Sequence, residues 1–100
     1  MTYTIERFNI TFKLPKKITV RQSLQFWGVF AVAVKHSMTM FLELWDAIVE
    51  LGLISDWQCD FFQLDTPLEQ VEDQRVAEVV MEVCNIVRTH MERLDTLEKN

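Results

Sequence analysis

Glycine and proline are scarce in this chain of 100 residues, with two of each. Their scarcity excludes a collagen-like or low-complexity polypeptide. It also removes the loops that cradle phosphates, because Gly28 and Gly52 stand alone and neither G-x-x-x-x-G-K nor G-x-G-x-x-G occurs. Cysteine is equally sparse. Cys59 and Cys84 are too few to staple a disulfide scaffold. H-E-x-x-H and G-x-S-x-G are missing as well. Cys59, Cys84, His36 and His90 would number four metal ligands, yet none has a near partner at the short spacing that zinc sites use. They read as two small thiols and two ordinary histidines, with His90 a core residue. Glu43, Asp46 and Glu50 share a helical face, as do Glu78 and Glu82, which is the pattern of solvated helix surfaces. The expectation is a protein with no catalytic residue, no metal and no cofactor.

Long apolar runs are lacking too. The most apolar stretch, Leu24–Val34, has 11 residues and ends at Lys35-His36, whereas a membrane-spanning helix needs roughly 20. The first residues alternate polar with apolar and contain no continuous signal-type segment. No membrane partner is expected. The free thiols fit a reducing cytoplasm.

What the chain does have is oil. Hydrophobic residues make up 49% and aromatics 11%, which excludes whole-chain disorder. One domain spanning residues 1–100 is expected. A core of this size hides only part of its surface, so the surplus points to a homo-oligomer or to a hydrophobic client. Charge is divided along the chain. From Met1 to His36, six cations (Arg7, Lys13, Lys16, Lys17, Arg21 and Lys35) stand against Glu6 alone. Between Glu43 and Glu82, eleven acids face only Arg75. Such a split is satisfied internally, between protomers packed head to tail, or as a solvated acidic face. A pI near 4.9 and a basic cluster of four residues at Lys13–Arg21 argue against nucleic acid.

The periodicities predict a mainly α fold: a small helical domain of three main helices with an N-terminal β-strand or hairpin. In the first segment, residues 1–15, Phe8, Ile10, Phe12 and Leu14 alternate with polar residues as a half-buried strand does. Tyr3 and Ile5 have the opposite parity, which places a bulge or turn near Glu6-Arg7. This strand must pair with its own first residues, with a weak candidate at Asp60–Leu64, or with another chain, in which case Phe8, Ile10, Phe12 and Leu14 are an oligomer contact. Residues 19–52 form an apolar helical region. It opens with the capping box Thr19/Gln22, is greasy on both faces through Val34, and closes at Gly52. Its second half sets Met38, Phe41, Leu42, Trp45, Ile48 and Val49 on one face. Leu53–Thr66 reads as a connection, with a helical turn at Ser55–Cys59. Residues 66–98 form a C-terminal amphipathic helix that starts at Thr66-Pro67 and leads by a short turn into Asp73–Leu97, where Val76, Val80, Val83, Val87, His90, Leu94 and Leu97 recur at steps of four and three.

Phe26, Trp27, Phe30, Met38, Met40, Phe41 and Trp45 crowd into 20 residues. As a core they need no function. As a groove, Phe26, Trp27, Phe30, Met38, Phe41 and Trp45 would hold an apolar helix of a partner, since Met-rich surfaces accept varied sequences. The opening ITFKLPKKITVRQSL, the pairs Trp45-Asp46 and Trp57-Gln58-Cys59, the helical end and the terminal Glu-Lys-Asn resemble the short tail assembly chaperones of long-tailed bacteriophages. Leu14-Pro15-Lys16 and the C-terminus carry the specific part of that likeness. The resemblance implies a small, acidic, mostly helical protein of the host cytoplasm that binds the hydrophobic, helix-rich tape measure protein before tail-tube subunits polymerise. It also implies a second, longer, frameshifted form. Glu98-Lys99-Asn100 can be encoded as GAA AAA AAC, which contains a heptamer on which ribosomes slip. The alternative is a small structural or regulatory subunit, such as a virion component, whose apolar surface is buried in a homo-oligomer.

Overall fold

The fold begins with a hairpin. In the computed structural model, which describes the backbone of residues 1–37 and 39–99 and the side chains of these as far as Leu94, β1 (Thr2–Ile5) pairs antiparallel with β2 (Ile10–Lys13). The register sets Tyr3 opposite Phe12 and Ile5 opposite Ile10. Cross-strand partners point to the same face, so the parity break in the sequence is a reversal of the chain. Glu6–Phe8 make the turn as a short 3-10 segment, ended by Asn9 at φ 54° and ψ 47°, a left-handed conformation that Asn tolerates.

A third strand completes the sheet. β3 (Ser55–Gln58) pairs antiparallel with β2 on its other side, giving the order β1-β2-β3. The fold therefore combines three helices with a three-stranded antiparallel sheet, and "mainly α" describes it only roughly. Three expectations are corrected here. Ser55–Cys59 contributes a strand where a turn of helix was expected, and Asp60–Leu64 is not a strand. Phe8 lies in the turn, with its ring edge-on to Phe61 at 6.1 Å between centroids. Ile10, Phe12 and Leu14 are buried, and β2 has a partner strand on each side within the chain. That strand offers no free edge to another protomer.

Helix α1 (Val20–Ala33) starts at the expected capping box: the Gln22 amide donates to Thr19 Oγ1 at 3.0 Å, and the Thr19 amide to Gln22 Oε1 at 3.0 Å. Helix α2 (Met40–Glu50) ends at Leu51, and Gly52 follows at φ 66°, the left-handed position that relieves a helix C-terminus. Pro67 precedes a 3-10 turn at Leu68–Gln70, and α3 (Arg75–Lys99) starts later than expected, where the Asp73 carboxylate accepts from the Arg75 amide at 3.0 Å. The helical start expected at Thr66-Pro67 is this short 3-10 turn, and the long helix expected from Asp73 begins two residues later, at Arg75.

Helix α2 sits in the middle, packing on α1 at one side and on α3 at the other. The core runs from Ile10 and Phe12 through Leu44, Trp45 and Ile48 to Val79, Val83 and Val87. Burying each of these side chains contributes on the order of 1.5–3 kcal/mol. Val76, Val80, His90 and Leu94 are buried with them, as are Val79, Cys84 and Met91, so the stripe on α3 is too broad for a coiled-coil seam. The Leu97 side chain lies outside the described residues.

His90 fastens the two ends of the fold. Its Nε2 lies 2.6 Å from the Pro15 carbonyl and its Nδ1 2.8 Å from the Tyr3 hydroxyl. A carbonyl only accepts, so Nε2 carries the proton. In the neutral ring Nδ1 then accepts from the tyrosine O–H. The expectation of a core histidine is met, with both ring nitrogens satisfied.

Candidate partner-binding surface

The aromatic cluster expected to form a groove is divided by the fold. Phe26 is fully buried and Trp45 is 3% exposed. Phe26 stacks with Phe30 and meets Trp27 edge-on at 5.0 Å, while Trp45 lies 5.7 Å from Phe62 and 6.1 Å from Trp57. These rings fill the space between helices and sheet. Phe26 and Trp45 therefore present nothing to a partner, a correction to the groove reading. Trp27, Phe30 and Phe41 are half-buried at the margin of the core. Met38 lies outside the described residues.

The open apolar surface is on the other side of α1. Val20 is 75% exposed, Leu24 69% and Val32 54%. With Gly28 they form one row at steps of four along the helix, and Ala31 is exposed beside it. A Cβ placed on Gly28 would meet nothing within 4 Å, so no contact inside the chain accounts for a glycine in mid-helix. A helix apolar on both faces is either buried or turned to a partner; here Phe26 and Ala33 define the inner side, and the outer side is uncovered. On helix α2 the expected face does turn inward at Trp45 and Ile48, with Phe41 and Val49 against the core; Leu44 and Ala47 are buried beside them, while Leu42 is 48% exposed.

Charge separates this row from the rest of the surface. The sequence contains no acid between Glu6 and Glu43. Some charges are matched inside the chain, Arg7 to Glu82 at 2.8 Å and Lys13 to Asp56 at 3.0 Å. Arg75 and Arg88 pair with the nearby Asp73 and Glu92. Among the described residues, Lys16, Lys17, Arg21 and Lys35 enter no ion pair, and neither do Asp46, Glu50, Asp65 or Glu69.

Those four carboxylates line one place. A cleft of about 500 Å³ lies between α2 and residues 64–69, walled by Leu42, Val49, Leu64 and Leu68 and edged by Asp46, Glu50, Asp65 and Glu69, with no cation on its wall. Past Leu42 and Leu68 it meets a second cleft of about 300 Å³ that reaches Val76, Val80 and Met81 at the start of α3. Burial, then the neighbouring Glu69 and Glu50, push the Asp46 carboxyl above its ordinary value. Among the described residues, no three His, Cys, Asp or Glu side chains converge as metal ligands would.

Two other groups were singled out by type. Cys84 is buried, its Sγ 3.6 Å from the Phe41 carbonyl, and burial pushes its thiol up to about 12. Such a thiol is a packing residue with little thiolate to react. The Trp27 indole Nε1 and one oxygen of Glu43 are shielded from solvent without a hydrogen-bond partner, while the other Glu43 oxygen meets His36 Nδ1 at 3.1 Å. No helix among the described residues is long and apolar enough to cross a membrane. Comparison with protein-family models, with curated proteins and with solved structures gives no match to this chain.

Proposed function

We propose that this chain is a non-enzymatic binding protein that covers apolar helices of another protein, in the manner of the tail assembly chaperones it resembles, with a tape-measure-like client in the cytoplasm of the host. The observation that carries this reading is the uncovered row Val20, Leu24, Gly28 and Val32. An apolar helix face with a glycine at its middle accepts a second helix at close range. Arg21 and Lys35 stand alongside and no acid does, so the fitting client helix carries an apolar stripe bordered by Asp or Glu.

The test uses a labelled synthetic helix with a Leu/Ala stripe and Glu borders, titrated with the protein. Binding should weaken at least tenfold in the double variant Leu24→Glu, Val32→Glu, with circular dichroism and Tm unchanged. Equal binding by a folded double variant would show that the row is not the docking surface. The same variant should fail to keep a co-expressed tape-measure-like protein soluble.

The second reading, a subunit whose apolar surface is buried in a homo-oligomer, is favoured by the two unpaired groups of opposite charge.

A further inference from the structure

The unpaired cations and the unpaired carboxylates lie on different elements, each set beside apolar side chains that nothing in the chain covers. Arg21 and Lys35 flank the outer row of α1, and Asp46, Glu50, Asp65 and Glu69 edge the cleft floored by Leu42 and Leu68. We propose that the outer face of α1 of one copy docks in the acid-edged cleft between α2 and residues 64–69 of the next copy, so that the chain associates head to tail with itself.

Three observations select this occupant. First, an α1-to-α1 contact between two copies would bring Arg21 and Lys35 against cations of the same kind with no acid in either helix, and juxtaposed like charges are unfavourable. Second, the carboxylates are spread along the cleft and do not converge as ligands on a point. Such an edge suits a row of Lys and Arg side chains. Third, among the described charges that the chain's own ion pairs leave over, which also include Glu6, Asp60, Glu72, Glu78 and Arg93, only these four carboxylates edge a cleft walled by several apolar side chains. A contact between two different patches is heterologous, so it propagates until a ring closes or a filament forms. Cations entering the cleft would also relieve the crowding of Asp46 by Glu69 and Glu50.

This inference rests on the homo-oligomer reading and gives the outer row of α1 a different occupant from the client helix; because variants in the cleft leave α1 free, the two are tested separately. The decisive measurement is sedimentation of the unmodified chain at about 50 mM and about 500 mM salt, a range over which exposed charges become screened. Assemblies larger than a monomer are expected at low salt, with association at least tenfold weaker at high salt. Two reversal variants follow, Arg21→Glu with Lys35→Glu, and Glu50→Lys with Glu69→Lys. Each alone should be monomeric and folded by circular dichroism, and an equimolar mixture should associate again, because the basic α1 of the cleft variant matches the unaltered cleft of the α1 variant. A monomer at both salt concentrations overturns the proposal. So does association that ignores salt, persists in either variant alone, or fails to return in the mixture. Binding of the labelled helix by the cleft variant reports separately on the client reading.

Discussion

Helices α1 and α3 each turn apolar residues toward the core, and their outer sides differ. On α3 the outward positions include Glu78, Asn85, Glu92 and Arg93, which water solvates. On α1 they include Val20, Leu24, Gly28, Ala31 and Val32. Both helices pack on α2, but α3 buries far more of its length, with Val76, Val79, Val83 and Val87 in the core against Phe26 and Ala33 on α1. A single exposed leucine is ordinary on a protein surface, but a row at helical spacing around a glycine with no neighbour is the kind of patch on which the proposed docking rests. The surplus of apolar residues is not spread over the molecule. It sits largely on one helix.

Replacing residues on the two sides of α1 and in the core breaks the comparison in graded steps. The largest effect is expected for Phe12→Ala in the central strand, where a fully buried ring meets Tyr3 and Trp57. A loss of about 3–5 kcal/mol in urea unfolding is expected, and a loss below about 1 kcal/mol would mean the sheet does not carry the core. Next comes His90→Phe, which keeps a planar ring and leaves the Tyr3 hydroxyl and Pro15 carbonyl unpaired. About 2–4 kcal/mol should disappear. Tyr3→Phe in a double-mutant cycle should show coupling to the same site, and additive effects would deny the bond.

Smaller effects follow on the outer side of α1. Gly28→Ala should raise stability by about 0.5–1 kcal/mol, because the position is helical and the added methyl meets nothing. Destabilisation there would reveal a contact inside the chain. Leu24→Gln should change stability by less than about 0.5 kcal/mol, in contrast to its buried neighbour Phe26. The smallest effect concerns Asp46. Its carboxyl is held above the ordinary value of 3.8, so the stability it contributes is complete below that value and declines as pH rises through the raised one. Asp46→Asn should therefore give a slight gain in Tm at pH 7 that vanishes in acid. A gain equal at both pH values would refute the electrostatic cause.

Much of the scaffold could be read before any coordinates. Alternation at Ile10–Leu14 with opposite parity at Tyr3 and Ile5 is the signature of a reversing ladder, and it became the hairpin. Thr19 with Gln22 marked the start of α1, and the spacing from Val76 to Leu94 marked the inner side of α3. Strand β3 was hidden because Ser55-Asp56-Trp57-Gln58 holds one large apolar residue and adopts its conformation to complete the sheet. The expected groove failed for a related reason. A helix with apolar residues all round has no strong periodicity, so sequence alone cannot say which side turns inward. Phe26 and Ala33, seven apart, took the core, and the row at Leu24 was left out. The sign split was visible in the sequence, but which cations find acids depends on the tertiary pairing of Arg7 with Glu82 and Lys13 with Asp56.

The bonds of His90 also set a timetable for synthesis. Pro15 and His90 are 75 residues apart, and Tyr3 and His90 are 87 apart. At roughly 5–20 residues per second, a ribosome delivers the histidine about 4–15 s after the proline. During that interval the hairpin can form, yet its tyrosine hydroxyl and the carbonyl of Pro15 remain hydrated. A nascent chain stalled before the middle of α3 would carry an N-terminal sheet still waiting for its last fastening.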